Sequence, residues 1–515
     1  MSQLLHQVLD ATAARLPEKT ALVSGKSRLA FADLVRRSTE LSMQLQRAGI
    51  RGGDRVVLFM DNGIELVIAL YAVLRLGAIC VPLNPQTKAN KFAAIVVKTR
   101  ASGLVGQASL AAVWREALSD CDGGCRIFVA GMPTLLETGE EYWDHEAETA
   151  RGAEAGEVAT SFSGDCNHPA LISHTSGTTG VPKGVTLSHR NLVSIVATIG
   201  DYLGIQEHDV ILGALPLSFN YGLTQLLMAC ATGATLVLER SFAFPVAILQ
   251  TMAREQVTVL PAVPTMFAML APLKDFSAGN LPRLRLMTSA SAELMPEQVE
   301  ILEHRFPAAD LFVMYGQTEC TRISFMPPDQ RALRRGSIGC GLPGQACWLR
   351  DEGGERLGPG STGELVVQGD HVMLGYWEDP EANARKIHRD PSYGMATMYT
   401  GDLFRSDEHG WLYFLERMDD IIKTRGEKVS PREVEQAILR IPQVSECLVV
   451  GVADPLLGQA VKAYVALNCA TDLTEREVIR HCLAMLESYM APKTVAFVDA
   501  LPRTYNGKVR RHDLP

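Results

Sequence analysis

The feature that most limits the fold is an alternation. Short apolar runs recur along the chain, and segments with helical spacing separate them. Residues 55–60, 78–83, 209–215, 235–238, 257–260, 284–287 and 311–314 read as strands. Residues 63–76, 223–231, 245–255 and 296–305 read as helices. Strands interleaved with helices bury both sheet faces, so the pattern predicts an α/β architecture of mixed sheets with flanking helices. At 515 residues the chain exceeds one ordinary core, and two or more domains are expected. Residues 1–417 read as a large N-terminal domain, in which a Gly/Pro-rich stretch at 353–363 leads into a β-rich subdomain. Residues 418–515 read as a small α+β domain: Pro431 opens a helix, another spans 473–486, and strands fall at 446–450, 463–467 and 495–498. The acidic stretch 139–168 reads as an exposed connection.

Composition excludes several classes. Apolar residues make up 47% of the chain and charged residues 21%, which supports packed cores rather than disorder. The net charge is −9 with no polybasic block, which argues against nucleic acid as a partner. Eleven cysteines are scattered without a Cys-x-x-Cys pair, so free buried thiols and a reducing, cytoplasmic setting are expected. The first residues show no basic stretch followed by an apolar one. The most apolar run, 66–83, contains Arg75 and is flanked by Glu65, so it reads as a buried helix running into a strand rather than a membrane span.

One loop carries chemistry. Residues 175–184 read Thr-Ser-Gly-Thr-Thr-Gly-Val-Pro-Lys-Gly. Gly177, Gly180 and Gly184 let backbone amides turn inward and form a concavity for anions. The hydroxyls of Thr175, Ser176, Thr178 and Thr179 and the ammonium of Lys183 add donors for phosphate oxygens. An apolar run at 169–173 precedes the loop and a helical pattern at 189–204 follows it, which predicts strand, phosphate loop, helix. A Walker loop is excluded because Gly184 follows Lys183. In isolation such a cluster is equally a polar surface turn.

The loop is followed by five further motifs, in order: Leu215-Pro216-Leu217-Ser218-Phe219-Asn220-Tyr221-Gly222, Tyr315-Gly316-Gln317-Thr318-Glu319, Thr400-Gly401-Asp402, Glu416-Arg417-Met418-Asp419-Asp420, and Pro502-Arg503-Thr504-Tyr505-Asn506-Gly507-Lys508. This series resembles the AMP-forming acyl/aryl acid–thiol ligase superfamily of acyl-CoA synthetases, adenylation domains and luciferases. The resemblance runs from about residue 170 to the end. It implies activation of a small carboxylic acid by ATP to an acyl-adenylate, then transfer to a pantetheine thiol, on coenzyme A or on a phosphopantetheine carrier protein.

The resemblance also implies roles. The 175–184 loop grips the nucleotide's phosphates. Glu319 and Thr178, with Thr179 beside them, fall where the family holds Mg2+, and one carboxylate suffices for that ion. Ser289, Ala290, Ser291, Tyr315, Gly316 and Thr318 stand on the adenine side, and Asp402 and Arg417 at the ribose. Phe219, Asn220, Tyr221 and Thr224 border the acid. Lys508 stabilises charge on the reacting carboxylate and α-phosphate. Asp419 is the hinge of a mobile C-terminal domain, which then presents Lys423 and Gly426 along the thiol's approach.

The chain departs from the family pattern in three places. Phe219 replaces a common His, keeping a ring without a hydrogen bond. Asn220 stands where amino-acid activators carry Asp, which disfavours a substrate with a buried ammonium and resembles aryl-acid activators. His174 replaces a more usual Tyr. Periodicity sets neither the acid nor the oligomeric state.

Overall fold

The computed structural model describes residues 3–119, 125–131, 136–137, 139–143, 161–175, 182–389, 395–424, 427–454, 458–468, 472–486, 488–503 and 509. The chain forms two compact units. The first comprises Met1–Pro328, Gly341–Ala346 and Gln368–Met398, and the second Asp329–Cys340, Cys347–Val367 and Tyr399–Pro515.

Two sheets build the first unit. One runs in the order Cys340–Gly341, Ser324–Met326, Asp310–Tyr315, Leu286–Ser289, Val259–Ala262, Val210–Gly213, Thr235–Leu238, Thr20–Ser24, Ser27–Ala30. The pairings from Asp310–Tyr315 to Thr20–Ser24 are parallel, and Ser324–Met326 and Ser27–Ala30 join the two ends of that parallel run antiparallel. The other runs Gly375–Tyr376, Lys183–Ser188, Pro169–Thr175, Ile79–Pro82, Arg55–Phe59, Gly103–Gln107, Arg126–Ala130, Glu140–Trp143. The helix Ile64–Arg75 is buried at every position but Glu65, as its all-round apolar sequence requires. Arg75 ends it with a guanidinium held by Asp10 and the Ser38 hydroxyl. No helix among the described residues is long and apolar enough to cross a membrane.

Alternation in the sequence locates these elements well. The helix Pro296–Arg305 falls on its expected residues. Three readings change. First, the phosphate loop does not join a strand to a helix. Lys183-Gly-Val-Thr-Leu-Ser188 is itself a strand, antiparallel to Pro169–Thr175, so the loop connects two strands of a β-hairpin. The helix His189–Leu203 starts only after this second strand, capped by Ser188. Second, residues 140–143 are not an exposed connection. They pair with Arg126–Ala130, with Trp143 buried and Glu140 held by Arg115 through two 2.8 Å bonds. Third, the helix expected at 223–231 starts earlier, as Asn220–Thr232.

In the second unit, the strands Ala346–Arg350, Thr362–Gln368, Ala396–Ser406 and Leu412–Arg417 lie side by side. The C-terminal part packs the helices Pro431–Ile438 and Glu475–Met485 on a sheet containing Val444–Asp454 and Gly458–Leu467. Val434, Ile438, Val449, Val465, Val478 and Cys482 are buried between them. The nine described cysteines are all free, and five of them are buried.

Candidate functional site

The phosphate side is built on the hairpin. Thr175 pairs with Lys183 and His174 with Gly184 at its closing end. Ser176, Gly177, Thr178, Thr179 and Gly180 lie outside the described residues. The short strand Gly375–Tyr376 pairs with the same hairpin, Tyr376 opposite Val185. That register brings the Tyr376 ring 5.2 Å from the Lys183 ammonium, and its hydroxyl donates to Glu319 Oε1 at 2.7 Å. One tyrosine therefore links the loop's cation to the expected metal-side carboxylate. Sequence reading missed Tyr376, because a Gly-Tyr-Trp triplet 57 residues beyond Glu319 carries no local signal. The Glu319 backbone carbonyl also accepts from Met373 N at 2.8 Å, which fixes the loop position. His174 lies against Gly184, where an added Cβ would be 3.4 Å from its Nε2. Burial first, then the positive charges of Lys98 and Lys91, lower its pKa to about 4, so the ring is neutral at pH 7.

The acid side starts where the chain turns at Pro216 and enters the helix Asn220–Thr232. Gly222 is required here, because a Cβ would sit 2.3 Å from the Pro216 carbonyl oxygen. Asn220 Nδ2 donates to the Thr318 carbonyl at 2.9 Å and to Thr321 Oγ1 at 3.4 Å, while its Oδ1 has no partner among the described residues. Tyr221 uses its hydroxyl inside the fold, bonding to the Thr288 carbonyl at 3.0 Å and the Thr288 hydroxyl at 2.7 Å. Burial pushes that hydroxyl up to about 12. Thr224 bonds back to the Asn220 carbonyl at 2.6 Å. Of the four expected pocket residues, Phe219 and Asn220 are half-buried, whereas Tyr221 and Thr224 are buried.

The adenine-side residues cluster at the carboxyl ends of adjacent parallel strands. Ser289 closes one of them, fully buried, with an unpartnered hydroxyl among the described residues. Ala290 is buried beside it, and Ser291 follows at φ +78°, left-handed backbone that a non-glycine residue adopts at a cost. Tyr315 ends the neighbouring strand. Gly316 must lack a side chain, since a Cβ would lie 2.4 Å from the Thr321 oxygen and 2.8 Å from Arg322 Cα. Ligands bind at this end of parallel strands in open α/β sheets.

The second unit carries the expected ribose pair. Gly401 turns at φ +73° inside the strand Ala396–Ser406. The Thr400 hydroxyl donates to the Leu365 carbonyl at 2.7 Å and accepts from Asp402 N at 3.1 Å. Asp402 is 2% exposed and faces Arg417 across the hairpin, with Nη1 2.8 Å from Oδ1. Asp419 lies in the one-turn segment Met418–Asp420, and Lys423 in the strand Ile422–Thr424. Gly426 and Lys508 lie outside the described residues. No cluster of three metal-binding side chains occurs among the described residues.

Comparison with known proteins identifies the family. The family described as AMP-binding enzyme matches residues 9–377, and the AMP-binding enzyme C-terminal domain matches residues 433–508. The chain is 32% identical to the oxalate–CoA ligase of Arabidopsis thaliana, covering 99% of this chain and 98% of that protein. It is 31% identical to the 2-succinylbenzoate–CoA ligase of Bacillus licheniformis, covering 98% of each. Among solved structures, ATP-bound MatB from Rhodopseudomonas palustris superimposes with a TM-score of 0.84 at 28% identity, over 99% of this chain and 98% of that one. The O-succinylbenzoate coenzyme A synthetase of Bacillus subtilis in complex with AMP gives 0.83 at 27% identity, over 99% and 98%. The chain therefore belongs to the AMP-binding enzyme family and is an AMP-forming acid–thiol ligase.

Proposed function

We propose that this chain joins a carboxylic acid to coenzyme A in two steps at one site. The acid's carboxylate oxygen attacks the α-phosphorus of ATP, the bond to the β-phosphate breaks, and pyrophosphate leaves with the electron pair. The thiolate of coenzyme A then attacks the acyl carbon, the bond to AMP breaks, and AMP leaves while the thiol proton goes to solvent. The observation that carries the reading is Tyr376, whose ring lies under the Lys183 ammonium and whose hydroxyl donates to Glu319, beside a glycine-rich loop. Repulsion between carboxylate and phosphate is the main barrier, and preorganised donors and cations lower it.

In this reading Thr175, Ser176, Thr178, Thr179 and Lys183 hold the β- and γ-phosphates. Glu319, with one oxygen positioned by Tyr376, holds Mg2+ with Thr178, and the ion when bound supplies charge neutralisation on the phosphates. Asp402 accepts from the ribose hydroxyls beside Arg417. Lys508 reaches the reacting carboxylate and α-phosphate from a mobile domain that starts near residue 418. Asp419 is its hinge, and Lys423 and Gly426 border the thiol in the second step. Coenzyme A is favoured as the acceptor over a carrier protein because the relatives are named CoA ligases. The buried reduced thiols support a cytoplasmic setting. The relatives' named acids range from oxalate to long-chain fatty acids, so their names support the reaction more than the acid.

The test measures pyrophosphate release across short, medium and long acyl acids, dicarboxylic acids, hydroxybenzoates, aminobenzoates and α-amino acids. Coenzyme A and a phosphopantetheine carrier are then supplied in turn. Release with at least one acid, followed by thioester formation with coenzyme A, is expected; no release with any acid sinks the reading. Lys508→Ala should abolish release while sparing thioester formation from synthetic adenylate.

A further inference from the structure

Arg322 lies three residues past Glu319 and is 2% exposed. Its guanidinium sits 5.2 Å from the centroid of the Tyr221 ring and meets the Tyr202 hydroxyl. Its Nε has no hydrogen-bond partner among the described residues, and none of their carboxylates forms an ion pair with it. Other interior arginines differ. Arg75 is held by Asp10 and Arg285 by Asp209. A guanidinium stays charged in any protein environment, so burying one without a carboxylate beside it is unfavourable unless a ligand supplies the counter-charge.

The position of Arg322 says which ligand. Its Cα and the Thr321 carbonyl press against Gly316, and the Thr321 hydroxyl accepts from Asn220. Arg322 is thus on the segment that holds the acid-side Asn220, and its head rests on the acid-side Tyr221. Glu319, on the same segment, faces Tyr376 and the phosphate side. We propose that Arg322 receives a second carboxylate of the substrate, so that the enzyme activates one end of a dicarboxylic acid and grips the other. This rests on the reading of the site given above. The gripped carboxylate is unchanged by the reaction: it accepts paired N–H bonds from the guanidinium fork while the far carboxylate attacks ATP. An apolar acid of equal length would leave the guanidinium unpaired in the complex, and sites built around a buried polar partner reject such analogues strongly.

The test uses the full chain and acid pairs matched in length, one dicarboxylic and one monocarboxylic, with the ω-hydroxy acid between them. For the best pair, kcat/KM from pyrophosphate release should favour the dicarboxylic acid by about a hundredfold or more, with the hydroxy acid intermediate. Arg322→Met should remove most of that ratio and Arg322→Lys only part. The dicarboxylic acid should raise the melting temperature of the wild type and not that of Arg322→Met. A wild type that prefers a monocarboxylic acid overturns the proposal, as does an unchanged ratio in a folded Arg322→Met. Should Arg322→Met fail to fold, the wild-type ratio and Arg322→Lys decide alone. Release with monocarboxylic acids only overturns the role of Arg322 and leaves the ligase reading standing; release with no acid overturns both.

Discussion

The two edges of the parallel strands in the first unit treat polar groups in opposite ways. At the starting edge, Asp209 is fully buried and every donor finds it. Arg285 Nε bonds at 2.9 Å, Arg285 Nη2 at 2.5 Å, the Thr258 hydroxyl at 2.7 Å and Gln206 N at 2.8 Å. Burial alone would raise the Asp209 pKa, but these donors outweigh it and hold the carboxyl below its usual range. At the finishing edge, Ser289 Oγ, Asn220 Oδ1 and Arg322 Nε are buried and have no partner among the described residues. Folded proteins satisfy nearly all such atoms. The starting edge is thus finished by the protein alone, whereas the finishing edge leaves buried polar atoms without a partner among the described residues.

That contrast can be broken. The largest effect expected is at the finishing edge: Glu319→Ala should slow adenylate formation by about a thousandfold, since it removes the carboxylate proposed to hold Mg2+ against the phosphates. Its melting temperature should stay within about 3 °C of the wild type. A variant that melts early and keeps its rate per folded molecule would erase the distinction. Next comes the starting edge. Asp209→Ala leaves Arg285 and Thr258 without their acceptor and should lower stability by about 3 kcal/mol, read from urea unfolding. Its turnover per folded molecule at 25 °C should match the wild type; a collapse in turnover with normal stability would place Asp209 in the site.

Acid sharpens the comparison. Burial lowers His6 to about 4, and His189 and His371 to about 3. Nearby Arg75 adds to the effect on His6, and His6 and His168 add to that on His189. The folded-state values lie below the unfolded value near 6.5. Below pH 6.5 the unfolded chain therefore takes up protons that the native chain refuses. Stability is full above that pH and falls on acidification until the folded pKa values are reached. The slope should be on the order of 1 kcal/mol per pH unit for each histidine. Because Asp209 titrates below its usual range, wild type and Asp209→Asn should lose stability in parallel between pH 6.5 and about 5. Curves that diverge in that window would show the starting edge titrating early. The smallest effect belongs to Ser289→Ala, which deletes a hydroxyl with no partner. Stability should change by less than about 0.5 kcal/mol, while KM for ATP rises severalfold; a marked loss of stability would reveal a partner inside the fold.

Legibility followed the range of the forces involved. The strand Arg55–Phe59, the buried helix Ile64–Arg75 and the helix Pro296–Arg305 came from local periodicity, which the backbone obeys wherever the segment ends up. The hairpin at the phosphate loop was misread because periodicity identifies a strand and says nothing about its partner. The first turn of the helix Asn220–Thr232 was missed because Asn, Tyr and Gly are weak helix formers, and Gly222 is there for its close approach to Pro216. The acidic stretch misled in the same way, since Arg115 supplies the counter-charge that lets Glu140 sit in a strand. Tyr376 and Arg322 were invisible, because a tyrosine and an arginine suit any surface until packing buries them.

The sequence by itself determined which chemical groups the chain offers and in what order. Hydroxyls, lysines, carboxylates and glycines at fixed spacing are covalent facts, and they carry the family resemblance that implied the reaction before any fold was known. Only the tertiary structure decided which of those groups are satisfied and which are left open. Partnership depends on residues far apart in the chain: Tyr376 reaches Glu319, Asp209 meets Arg285, and Arg322 meets no carboxylate among the described residues. Local composition cannot encode that difference, because the cost of a buried charge is set by whatever the fold brings beside it.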